Sequence, residues 1–197
     1  MAFTKSYLIP VGDLTLESRR DMRASVDECL RVAALGVAIQ PDDSTLLVRD
    51  TLPNTDLGVG LGAPAAGAGT AEDWLIQAAV LLAAVGVEIP YFTSIIANDR
   101  CIAFWGVSVE AAPASISRVR LTLGATSTQT KGVFQLEQLY GRLETVGYFS
   151  EAIIFKRVET CRVMVMPRLA FAALSERLGL LARTIEPIGA VVSASSI

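Results

Sequence analysis

Residues 116–168 read ISRVRLTLGATSTQTKGVFQLEQLYGRLETVGYFSEAIIFKRVETCRVMVMPR, and the fold class turns on them. Val119, Leu121 and Leu123 alternate with Arg118, Arg120 and Thr122, the period of two expected of a strand with one face buried. Residues 160–166 repeat the pattern, with Cys161, Val163 and Val165 on one face and Arg162, Met164 and Met166 on the other. Gly124-Ala-Thr-Ser-Thr-Gln-Thr between them reads as a loop, and Gly147-Tyr-Phe-Ser as a second break before Ile153-Ile-Phe. Val133 to Leu143 fits two patterns: Val133, Leu136, Tyr140 and Leu143 suit a helix, whereas Phe134 and Leu136 alternate as on a strand.

Upstream, Cys101–Val109 (CIAFWGVSV) is apolar on both faces, as a central strand covered on both sides would be. Residues 180–185 and 190–192 supply closing strands around Pro187 and Gly189. Short strands separated by Gly and Pro turns point to a mainly β, antiparallel sandwich or barrel.

The N-terminal part differs. Residues 1–14 look extended, punctuated by Pro10 and Gly12. Ser18-Arg-Arg-Asp21 has the spacing of a capping box, and Met22, Val26, Cys29, Leu30 and Ala33 follow at helical intervals up to Gly36 as the C′ residue. Arg19, Arg20, Arg23 and Arg31 decorate this helix, either as a solvated face or as a docking surface for an acidic patch on a neighbour. Val37–Ile39 and Thr45–Arg49 read as short strands around the turn Pro41-Asp-Asp-Ser. Thr70-Ala-Glu-Asp73 and the Ala-rich run behind it predict a further helix over 74–85, with a buried strand pair as the alternative.

At 197 residues the chain suits one domain: an arm and helix over 1–36, and a β-rich body over 37–197. The body carries a Gly/Ala loop at 57–70 with five glycines in fourteen positions, whose ordering a neighbouring subunit would have to supply. Apolar residues make up 52% and charged ones 19%, with a mean hydropathy of +0.47. So apolar a composition implies surface covered by partners or by lipid. The longest uncharged run, Trp74–Val87, falls short of the roughly 20 residues of a span, so a soluble protein with protein partners is expected. Fourteen Arg against three Lys suit subunit interfaces, and equally suit a GC-rich genome. A net charge of −3 gives no reason to expect nucleic acid. Cys29, Cys101 and Cys161 are expected as reduced, buried thiols.

The sequence contains no His, which removes the commonest general base and most catalytic zinc sites. Gly58-Val-Gly-Leu-Gly-Ala63 matches a dinucleotide-binding turn in letters only, because Pro64 and further Gly and Ala follow where a helix should open. Asp42, Asp43, Asp50 and Asp56 match no cation-binding loop, and Glu137, Glu144 and Glu151, seven apart, read as a solvated stripe. No catalytic residue, cofactor or metal is therefore expected. Trp74, Trp105, Tyr140 and Tyr148 offer stacking surfaces, which keeps a carbohydrate- or lipid-binding sandwich as the alternative.

The stretches 116–155, RVMVMPR and LGLLARTIEPIGAVVS resemble virion proteins of tailed and lipid-containing icosahedral phages, coat or decoration proteins with a β-sandwich or single jelly roll. The resemblance implies a non-enzymatic structural protein, made in the host cytoplasm and located in the virion. Its partners would be copies of itself and other capsid proteins, with no membrane contact. The residues offered for such contacts are Arg118 and Arg120 on the strand and Arg19, Arg20 and Arg23 on the helix.

Overall fold

The computed structural model describes residues 7–37, 39, 45–59, 73–76, 79–109, 115–125 and 129–188. The turn at 41–44 with Asp42 and Asp43, most of the Gly/Ala loop, the 126–128 segment and the expected strand at 190–192 lie outside them.

Strands β2 (Leu46–Asp50), β3 (Ile89–Ile95), β4 (Cys101–Val109) and β5 (Ile116–Leu123) form one half of a folded ribbon. Strands β6 (Gln129–Gln135), β7 (Val146–Phe155), β8 (Thr160–Pro167) and β9 (Leu178–Pro187) form the other. The halves pair antiparallel in reverse order, β5 with β6, β4 with β7, β3 with β8 and β2 with β9. Rolling the ribbon brings β4 beside β9 and β5 beside β8, which splits it into two sheets. The first sheet runs β1-β7-β4-β9-β2, where β1 is Leu8–Pro10, and the second runs β3-β8-β5-β6. This wrapped antiparallel ribbon is a single jelly roll.

The core lies between the sheets. Phe104, Phe134, Phe149, Phe155, Leu121 and Val119 are buried there, and the Phe134 and Phe149 rings stack across the gap at 3.7 Å. Alternation places these side chains correctly: Val119, Leu121, Cys161, Val163 and Val165 are all fully buried. β4 is central and buried on both faces, as its unbroken apolar run predicts. Its inner residues Ile102 and Phe104 meet the second sheet, while Cys101 and Ala103 meet helix α1 (Leu16–Gly36). Val26, Leu30 and Ala34 lay that helix across the outer face of the first sheet.

Several expectations are corrected. The α1 cap is Thr15, whose hydroxyl accepts from the Ser18 N–H at 3.1 Å; Ser18 is the donor in the first turn, not the cap. Gly36 closes the helix without the left-handed conformation of a C′ glycine. Residues 37 and 39 follow the helix as a turn and bend rather than a strand. No described residue of 74–85 is α-helical. Its described residues lie against residues 171–178 through bridges Leu75–Arg177 and Val80–Phe171, and among them Leu82–Ala84 makes a 3-10 turn. Hydrogen bonds from Ile76 N–H to Glu176 and from Val80 N–H to Phe171 bury Ile76 and Val80 over one end of the roll. Gly147-Tyr-Phe-Ser does not break the chain but lies inside β7. A Cβ at Gly147 would stand 2.9 Å from Leu139, so the glycine makes room for helix α3 (Glu137–Tyr140). Both readings of 133–143 hold in part, because β6 ends at Gln135 and α3 starts two residues later. Glu137, Glu144 and Glu151 consequently fall on a helix, a loop and a strand, and form no stripe.

Candidate subunit interface

Arg118 and Arg120 stand on the outer face of the second sheet, opposite Val119 and Leu121, as their alternation predicts. Glu88, just before β3, accepts from both: Arg118 Nη2 at 2.8 Å on one oxygen and Arg120 Nη2 on the other. Cross-strand neighbours on the same face are Met166 and Gln135 beside Arg118, and Met164 and Val133 beside Arg120. Arg162 lies one step along, opposite Thr122, and donates to the Ala125 carbonyl at 2.6 Å. The Nε atoms of Arg118, Arg120 and Arg162 are buried and have no acceptor. A guanidinium carries five donors, so one carboxylate shared by two of them leaves donors and positive charge in surplus. The face is thus a patch of arginine interleaved with methionine.

The helix arginines separate in the fold. Arg19 returns to its own helix cap, donating to the Thr15 carbonyl at 3.4 Å. Arg23 reaches Asp50 on β2 at 3.3 Å, and Arg20 is exposed. Sequence reasoning passed over the residue that ties the helix down. Arg183 on β9, 7% exposed, donates to both oxygens of Asp27 at 2.8 and 3.0 Å and to Asp50 at 2.6 Å. Its only sequence signal is a charge at an otherwise apolar position of a buried strand.

A second cluster was also missed. Asp56, on the short helix α2 (Pro53–Leu57), is fully buried and receives Arg49 in a two-point contact at 2.7 and 2.8 Å. Arg100 adds a contact at 2.6 Å, the Leu52 N–H one at 2.8 Å and Thr184 one at 3.2 Å. Glu186 takes Arg49 Nε at 2.6 Å. Burial by itself would raise the Asp56 carboxyl. The Arg49 hydrogen bonds, the Leu52 N–H and the two guanidinium charges outweigh it and hold the group below the usual carboxylate range. Every acceptor lobe faces protein, so Asp56 is an ion-pair centre that fastens α2 to β2 and β9. Asp50 and Asp56 belong to different clusters, and no described group of acidic or sulfur ligands has the arrangement of a metal site.

Cys101 and Cys161 are buried, and burial raises both thiols above their usual value. Cys29 is exposed, correcting the expectation of three buried thiols: it lies off the stripe formed by Val26, Leu30, Ala33 and Ala34. It borders a groove of about 320 Å³ with Met22, Trp105 and Ala152, where α1 leaves β7 uncovered. Trp105 and Tyr148 contact each other at 5.1 Å on that side of the sheet. Trp74 packs on the core, and the Tyr140 hydroxyl donates to the Ile116 carbonyl, so neither offers a free stacking face.

No family model, curated protein or solved structure matches the chain. No described helix is long and apolar enough to cross a membrane.

Proposed function

We propose that this protein is a structural subunit of a virus shell, acting by contact with copies of itself and with other capsid proteins. The observation that carries the reading is the wrapped jelly-roll ribbon with its interior filled by stacked aromatic side chains. That architecture serves capsid proteins and lectins, and the step from fold to role is one of analogy. The surface adds support. Leu143, Val158 and Leu174 adopt left-handed backbone, a region costly for residues with a Cβ, and hold apolar side chains outward at 94%, 63% and 43% exposure. Leu81 and Leu82 are 73% and 82% exposed at one end of the roll. Apolar side chains held so are suited to burial against a neighbour. Arg118, Arg120 and the exposed Arg20 are arginines available to such contacts, whereas Arg19 and Arg23 are held within the subunit.

The Trp105 groove favours the alternative, a carbohydrate- or lipid-binding sandwich, but the space between the sheets is occupied by Phe104, Phe134, Phe149 and Phe155. Negative-stain microscopy of the purified protein tests the proposal. Symmetric closed particles or rings are expected; isolated single subunits in every field, together with binding on a glycan or lipid array, would favour the alternative.

A further inference from the structure

α1 lies on one face of the sandwich and the arginine-methionine patch on the other. At about 100° per residue, Glu17, Asp21 and Glu28 fall within about 40° of one another on the side of α1 turned away from Val26, Leu30 and Ala33. All three are exposed, and none makes an ion pair among the described residues. Ala24, Val32 and Leu35 continue the same crest, with Val32 62% and Leu35 44% exposed. By the same rotation Arg19 and Arg23 lie on the sheet-facing side, where each has a partner in the subunit, and Arg20 and Arg31 border the crest along one edge. The crest is therefore acidic towards its N-terminal half and apolar towards its C-terminal end. The opposite face of the sandwich carries the complement: Arg118, Arg120 and Arg162, with Glu88 the carboxylate paired to them among the described residues, beside Met164 and Met166.

The spacings also agree. Glu17 to Glu28 covers about 16 Å of helix, and Arg118 to the Thr122–Arg162 pair covers about 13 Å of strand.

We propose that the α1 crest of one copy docks across the outer face of the second sheet of another, pairing Glu17, Asp21 and Glu28 with Arg118, Arg120 and Arg162. This inference rests on the shell-subunit reading and names the contact it would use. Because the two surfaces are different and lie on opposite faces, the contact is heterologous and builds rings or extended arrays rather than a two-fold dimer. Methionine and the aliphatic stems of arginine adapt to the apolar end of the crest.

The test uses two full-length variants. One is E17K/D21K/E28K. The other is E88K/R118E/R120E/R162E, which turns three arginines and one carboxylate into three carboxylates and one lysine and so inverts the patch while keeping the pairing at position 88. Each alone is expected to weaken self-association at least about ten-fold by sedimentation, and an equimolar mixture is expected to restore it, since each crest then meets a patch of opposite sign. Lysines in the first turns of α1 oppose the helix dipole, so E17Q/D21N/E28Q serves as a gentler variant, and far-UV circular dichroism reports folding for all. If the wild type assembles and the folded crest variants assemble equally well, the contact is refuted while the shell reading stands. If both variants fold and dissociate but their mixture does not associate, the pairing is refuted. A wild type that stays monomeric refutes both.

Discussion

Replacing Val119 with Asp would set a carboxylate into the space between the sheets, where Val119 is fully buried in the apolar core. Loss of more than about 4 kcal/mol, seen as failure to fold at room temperature, is the expected outcome. Arg120→Ala removes a half-buried side chain whose partner Glu88 keeps Arg118, so a cost of about 1 kcal/mol with an intact fold is expected in urea denaturation. Equal loss in the two variants would contradict the faces assigned to β5. These faces were legible because alternation is a local property. Asp56 was not legible in the same way, since Arg100 and Glu186 lie far along the chain and only the rolled ribbon brings them to it. Asp56→Asn leaves Arg49 and Arg100 short of charge in a buried site and is expected to cost about 3–5 kcal/mol at pH 7. Because the folded Asp56 carboxyl lies below its ordinary value, its contribution is complete above about pH 4 and is lost as pH falls through the folded value. Denaturation curves at pH 7 and pH 3 should therefore diverge more for the wild type than for Asp56→Asn; equal acid sensitivity would show that other carboxylates govern it. Among the thiols, an aromatic disulfide reagent should label Cys29 in the native protein, and Cys101 and Cys161 only after unfolding.

At the level of elements, β4 and β7 approach so closely at Gly106 that a Cβ there would stand 2.7 Å from the Gly147 carbonyl oxygen and 2.9 Å from Leu181. The register of β4 shifts between Phe104 and Gly106 on both of its neighbours. Gly106→Ala must part the strands or push Leu181 aside, and a loss of about 1–3 kcal/mol is expected from thermal melting monitored by circular dichroism. An unchanged midpoint would mean the bulge is loose enough to take a methyl group. This glycine and Gly147 also show where element reading from sequence goes wrong. A glycine signals a turn when its backbone needs positive φ, as at Gly124 with φ 91, and signals close approach when its missing Cβ is the point. The letters do not distinguish the two. The same holds for 74–85, whose continuous apolar run carries no period; hydrogen bonds with residues 171–178 decided the matter. α1, with its period and its polar flanks, was legible within a few residues, and its cap slipped from Thr15 to Ser18 because both hydroxyls stand before the apolar stripe.

For the molecule as a whole, the strands over 101–109, 116–123 and 160–166 could be read one by one, and with them a mainly β sandwich. Their order could not. Pairing β2 with β9 joins residues more than a hundred positions apart, and nothing in either strand's pattern specifies its partner. The proposed contact surfaces were half legible: Arg118 and Arg120 stand where alternation puts them, whereas on α1 the exposed carboxylates, not the arginines, occupy the crest. Sedimentation velocity of the wild type over a wide concentration range tests most directly whether this jelly roll is a shell subunit. A shift with concentration from the 20.9 kDa chain to one discrete, much larger species is the expected result, weakened by added salt. A single species at the monomer mass at every concentration and salt would contradict it.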